Sequence, residues 1–440
     1  MPGICGIVDR RQPASVAAMM PKMLARMKHY PWYVTSAHAD AARGLALGCV
    51  SLGLARTDAQ PASSQDGSRI AILEGEIYDP PALPVALQPV APSPRDDNPA
   101  ERILHGYEHE GTAFFRRLNG FFAAAIWNKK QERLLLVNDR FGMKPLYYAA
   151  LPGRLLFACD IKAILADPEL PRQHNPKGIA QFFAFGHLFG EETLCEGVRV
   201  LPPASCLVYD LRSGRWALER YWRFEPDQRV AALGEAELLD RLDDAFYRAV
   251  QRRLTGPGQP GISLSGGLDS RTILGAIDHD RVPVISVSMG MEGSVDHRAA
   301  QQMAAIANRR HHAYLLNTRF LSRFEEHLRW MVHLTDGHYL SQCVIMPTLP
   351  FYRELGIDAL LRGHAGELMH MDKAYAFSLD DEAFALRNEA ELEDWLFRHL
   401  HAYMAHPEEG PLFAAPWEQE VDNLARDSLR ESLRDSAAID

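Results

Sequence analysis

The six residues Ser265-Gly266-Gly267-Leu268-Asp269-Ser270 constrain the fold of this chain more than any other stretch. Upstream, Gly261-Ile262-Ser263-Leu264 reads as a short buried strand, and downstream Arg271 to Ile277 reads as the first turns of a helix. Glycines at a strand-to-helix turn let backbone N–H groups converge on an anion, and the helix N-terminus adds positive potential there. Ser265 and Ser270 add hydroxyl donors. Asp269 is an oxygen ligand of the kind Mg²⁺ takes beside a polyphosphate. The loop lacks the Gly-Lys-Ser/Thr ending of a Walker A loop, so γ-phosphoryl transfer is not the chemistry it points to. Phosphate contacts are expected from Ser265, Gly266, Gly267 and Ser270, and a metal contact from Asp269.

The flanks of the loop predict its setting. Leu238, Leu242, Phe246 and Val250 recur every fourth residue, the mark of an amphipathic helix leading into the loop. Strands at Val284 to Val287 and Ile357 to Leu361 alternate with helical segments at Arg298 to Ile306 and Arg319 to Leu334. Short apolar strands separated by helices predict a parallel, doubly wound α/β sheet, whose ligands sit at the carboxyl ends of the strands. The residues after Val287 and the stretch from Arg362 to Glu367 are therefore the other two candidate strand ends.

Before about residue 225 the pattern is different. Ile4 to Val8, Ala46 to Leu52, Ile70 to Tyr78, Phe121 to Trp127, Leu134 to Val137, Leu146 to Tyr148 and Cys206 to Tyr209 are short strand-prone runs separated mostly by Gly, Asn, Asp and Pro. Helices are expected at Ser15 to Met27 and Ala100 to Tyr107. This predicts an antiparallel α+β domain, and the Pro-rich stretch Pro80 to Pro94 reads as a surface excursion. At 440 residues the chain is long enough for two domains. Its net charge of −10 argues against nucleic-acid binding, and no apolar run is long enough to span a bilayer. Six cysteines without a CxxC pair fit reduced thiols in the cytoplasm.

The order of four motifs carries a resemblance. Cys5-Gly6-Ile7-Val8, Glu74-Gly75-Glu76-Ile77-Tyr78, Asp139 to Tyr148 and the Ser265 to Ser270 loop succeed one another along nearly the whole chain. In this the chain resembles the glutamine-dependent asparagine synthetases, a family that includes β-lactam synthetases and lasso-peptide cyclases. The resemblance implies an N-terminal nucleophile hydrolase-like sandwich over residues 1–225, then an ATP-pyrophosphatase domain over 235–440. It also implies ATP and Mg²⁺, a small-molecule or peptide carboxylate as substrate, and ammonia or an amine as donor. A lasso-type macrocyclase and a non-catalytic nucleotide-binding subunit are the alternatives.

Residue by residue, the resemblance has gaps. Cys5 follows four residues, so the free α-amine that serves the family's nucleophilic cysteine as base is expected to be missing. Tyr30-Pro31-Trp32-Tyr33 stands at an Arg-Gly-Pro-Asp element, Ser51 at a glutamine-binding arginine, and Glu74 at an oxyanion-stabilising asparagine. The first domain is therefore expected to be an inactive glutaminase. In the second, Val287 falls where the family holds adenine, although ordinary core is an equal reading. Gly363 keeps its place, His364 stands where the family has its amine-deprotonating residue, and Glu367 stands for a second Mg²⁺ ligand. His364, Glu367 and His370 at intervals of three also raise a transition-metal site, which Ala365-Gly366 argues against by favouring a turn. A lysine that the family carries near its C-terminus has no counterpart, Lys373 being too close to the third strand. Truncation, completion of the site by a partner, and reduced or lost activity are the expectations that follow, with a homodimer or a partner subunit as the expected assembly.

Overall fold

The computed structural model describes residues 2–53, 60–78, 98–225, 227–255, 258–338, 343–363, 373–374, 377–378, 380–401 and 413–437. The chain divides into two compact units, Met1–Arg223 with Leu379–Asp440, and Phe224–Ser378.

The first unit is built on twelve strands: β1 (Gly3–Asp9), β2 (Val34–Asp40), β3 (Leu45–Ser51), β4 (Ala62–Ser63), β5 (Arg69–Tyr78), β6 (Asn119–Asn128), β7 (Arg133–Asn138), β8 (Tyr147–Leu151), β9 (Arg154–Ala158), β10 (Arg199–Val200), β11 (Ser205–Asp210) and β12 (Trp216–Arg220). They form two six-stranded sheets in the orders β10-β8-β9-β1-β3-β2 and β12-β11-β7-β6-β5-β4. Every pairing is antiparallel. Side chains alternate between faces along a strand, and here both faces are covered. On β5, Ile70 and Ile72 join the core between the sheets, while Ala71 and Leu73 join a second core with Ile103, Leu104, Phe114 and Phe115. The helix Ser15–Met27 covers the first sheet through Met20 and Met23, and Pro99–Glu110 covers the second. Burial on both faces explains why these antiparallel strands read as nearly continuous apolar runs. The result is a sandwich of two sheets between helices.

Residues 379–440 return to this unit. The helix Ala415–Ala437 lays Val421, Ala425 and Leu429 on Ala180, Ala184 and Phe185 of the helix Pro176–Phe185. Phe397, from the helix Glu389–His401, completes that cluster.

The second unit has a four-stranded parallel sheet of β13 (Gln259–Ser263), β14 (Ile285–Gly290), β15 (His311–Leu315) and β16 (Ile357–Arg362), in the order β15-β14-β13-β16. The chain steps outward from β13 to β15 and then returns to the other side of β13. The strand order therefore reverses beside β13, and at such a switch point the loops after neighbouring strands diverge and leave a crevice. Ile262 and Leu264 pack with Leu274, Ile277, Ala300 and Ala304 beneath it.

Two expectations are corrected here. The helix Glu235–Leu254 forms, but Leu239 and Leu242 stay exposed and only Val250 and Leu254 are buried. The expected single helix from Arg319 to Leu334 is two, Thr318–Ser322 and Phe324–Thr335, interrupted at Arg323. His311 and His312 lie in edge strand β15. No described helix is long and apolar enough to cross a membrane.

Candidate nucleotide site

The loop after β13 folds as the sequence predicts. Gly267 is extended (φ −75°, ψ 157°) and leads into the helix Leu268–Gly275 without a side-chain cap. Each backbone N–H of Ser265, Gly266 and Gly267 meets an oxygen. Ser265 N–H donates to Ser270 Oγ at 3.2 Å, Gly266 N–H to Asp296 Oδ1 at 2.9 Å, and Gly267 N–H to Ser265 Oγ at 3.2 Å. On the carbonyl side, the Arg271 guanidinium donates to Gly266 O at 2.6 Å and to Gly267 O at 3.2 Å. Ser270 is buried and its hydroxyl spans the turn, 3.3 Å from Ser265 Oγ. The loop is thus a row of donors already engaged with oxygen acceptors, the chemistry a phosphate requires.

Gly363 lies just past β16. A Cβ added there would lie 2.5 Å from Asp269 Cβ and 2.6 Å from the Ser270 nitrogen, so only glycine fits. The loop after β13 and the end of β16 are therefore in direct contact, and Asp269 stands between them. His364, Glu367 and His370 lie outside the described residues, as does the Pro-rich stretch. Among the described residues no three His, Cys, Asp or Glu side chains are placed to hold a metal ion.

Val287 is not at a strand end. It is fully buried, its carbonyl accepts the Leu264 N–H at 2.8 Å, and β14 runs three residues further to Gly290. The apolar run stops at Ser288, which is why the strand read as ending there. The strand continues by pairing with β15, whose His311 ring meets the buried hydroxyls of Ser286 at 2.9 Å and Ser288 at 3.2 Å. Burial, with His297 and His312 nearby, holds that imidazole below its usual pKa and so favours the neutral ring. Half-buried Met289 and Gly290 are the residues at the strand's carboxyl end.

Sequence reasoning missed Asp296 and Arg271. Ser294 caps the helix Val295–Ile306 by accepting from His297 N–H, and Asp296 sits in its first turn. A Cβ on Gly266 would come within 2.6 Å of Asp296 Oδ1. The only available signal was an acidic first turn just after the second strand end, a common helix feature.

In the first unit, Cys5 is a mid-strand residue of β1, paired with Gly48 on β3 and Ala158 on β9. Its thiol is fully buried 3.8 Å from Met20 Sδ, facing the covering helix, and burial pushes its pKa far up. Glu74 is also buried, with Lys144 Nζ 3.3 Å from Oε1. Burial raises the Glu74 pKa and Lys144 opposes that rise. Ser51 is buried and accepts from Gly53 N–H at 3.3 Å. Tyr30 and Trp32 stack at 4.3 Å, with Tyr33 edge-on to both. In the motif from Asp139 to Tyr148, the Asp139 carboxylate accepts from the N–H groups of Phe122, Phe141, Met143 and Lys144. That motif shapes a turn.

Residues 1–222 match the model of the glutamine amidotransferase domain, and residues 241–435 match that of asparagine synthase. The chain belongs to the asparagine synthetase family. Its relatives include an asparagine synthetase [glutamine-hydrolyzing] 2 of Bacillus subtilis, 30% identical over 54% of this chain and 32% of that protein. A carboxyethyl-arginine beta-lactam-synthase of Streptomyces clavuligerus is 29% identical over 65% of this chain and 52% of that protein. The chain thus spans about a third to a half of the length of these relatives. Among solved structures, the allosteric regulatory enzyme of purine biosynthesis is similar with a TM-score of 0.37 and 10% identity, over 82% of this chain and 90% of that one. That likeness is too distant to add to the family assignment.

Proposed function

We propose that this chain is an ATP-dependent amide-forming enzyme that adenylates a carboxylate and passes ammonia or another amine to it, without hydrolysing glutamine. One observation carries the reading. At the reversal point of a parallel sheet, a glycine loop turns three successive N–H groups toward oxygen acceptors, with Gly363 fitted against Asp269.

In this reading the N–H groups of Ser265, Gly266 and Gly267 and the hydroxyls of Ser265 and Ser270 receive the polyphosphate. The adenine base lies along β14 beyond Val287, near Met289 and Gly290. Asp269, with Glu367 past Gly363, would hold Mg²⁺, which neutralises charge on the departing pyrophosphate. A carboxylate oxygen of the substrate attacks the α-phosphorus and the bond to pyrophosphate breaks, leaving an acyl-adenylate. The amine nitrogen then attacks the acyl carbon and AMP departs. His364 accepts the proton that the attacking amine must lose. The first domain serves as a structural sandwich: Cys5 faces a helix instead of a cavity, and Glu74 is neutralised by Lys144.

The test follows products. With Mg-ATP, ammonium and a panel of amino-acid and peptide carboxylates, AMP and pyrophosphate are expected, and glutamine supplied in place of ammonium is expected to yield no glutamate. Release of ADP and phosphate would overturn the adenylation chemistry. Glutamate formation that disappears in Cys5→Ala would overturn the inactive glutaminase.

A further inference from the structure

We propose that Asp296 is a built-in competitor for the polyphosphate, seated on the nucleotide loop until the anion displaces it. The inference rests on the nucleotide reading of the loop and assigns a residue to it. Of the three oxygens that meet the loop's N–H groups, two are hydroxyls and one is a carboxylate. The hydroxyls of Ser265 and Ser270 can rotate and donate to an incoming anion. The Asp296 carboxylate only accepts and carries like charge, so it must leave. It is also the shortest of the three contacts, at 2.9 Å, and bonds to a charged acceptor are stronger than neutral ones.

The local geometry keeps Asp296 on Gly266. Ser294 fixes the start of its helix, and Arg271 holds the Gly266 and Gly267 carbonyls from the other side. Gly266 leaves the space a Cβ would fill, only 2.6 Å from the Asp296 oxygen. Asp296 is itself exposed, so its carboxylate has solvent to swing into once displaced. The seat preserves the N–H orientation without ligand and disfavours weakly bound anions. Phosphate or sulfate must evict the same carboxylate while making fewer contacts than a polyphosphate.

Inorganic pyrophosphate with Mg²⁺ is the probe, titrated calorimetrically into the full chain, its Asp296→Ala and its Asp296→Asn variants. Both substitutions remove the charge, and the asparagine keeps an acceptor for Gly266. Affinity is expected to rise about tenfold in Asp296→Ala, with Asp296→Asn between it and the wild type, and the gain is expected to shrink at high salt. Equal or weaker binding in both variants, with the wild type binding normally, overturns the competitor and leaves Asp296 as a residue that shapes the loop. If the wild type takes up neither pyrophosphate nor ATP, the nucleotide reading itself fails and the competitor falls with it.

Discussion

A single methyl group tests how the nucleotide loop is held. At Gly363 it would sit 2.5 Å from Asp269 Cβ and 2.6 Å from the Ser270 nitrogen, closer than packed atoms approach. Both neighbours belong to the loop's own helix start, so the strain of about 1–3 kcal/mol that overpacking brings falls on the residues proposed to contact phosphate. Gly363→Ala is therefore expected to weaken Mg-ATP binding about tenfold or more while the chain stays folded, as circular dichroism with calorimetry would show. Unchanged affinity would mean that the end of β16 yields instead. At this scale legibility in sequence followed distance along the chain. The loop from Ser265 to Ser270 was readable because its chemistry is local. Asp296 was not, because its bond to Gly266 spans 30 positions and nothing near it in sequence names its partner. Glu74 read as a charge that would oppose an oxyanion, yet its counter-ion Lys144 lies 70 positions away.

Among elements, both early helices and most of the strands were legible, the strands as short apolar runs bounded by turn residues, and the spacing from Leu238 to Val250 marked one face of a helix. Coverage of that face was not legible. The stripe on Glu235–Leu254 promised burial along its length, but only its last turns are covered. The packing of the helix Ala415–Ala437 against Pro176–Phe185 came only from the structure. Val287 was misplaced because β14 continues past Ser288 by pairing with β15, a strand the sequence did not show. The C-terminal packing has a measurable consequence. Leu429 is 4% exposed between Ala425 and the Pro176–Phe185 helix. Leu429→Ala is expected to cost about 2–5 kcal/mol in chemical denaturation of the first unit. A loss below about 1 kcal/mol would show that the helix adds little to that unit's stability.

For the whole molecule, sequence order and spatial order differ. The first unit gathers both ends of the chain, and the second, from Phe224 to Ser378, carries the complete described part of the nucleotide site. In the proposed reading, amide-bond chemistry belongs to the second unit and the first supports it, with the buried Cys5 and the Glu74–Lys144 pair as the physical reasons. The account rests on the claim that the loop from Ser265 to Ser270 receives Mg-ATP, and binding tests this without knowledge of the acceptor carboxylate. Isothermal titration of Mg-ATP into the wild-type chain and Asp269→Asn measures it directly. The account predicts saturable one-to-one binding to the wild type, weakened about tenfold or more in Asp269→Asn by loss of a metal carboxylate. No binding to the wild type, or equal affinity in both, would contradict it.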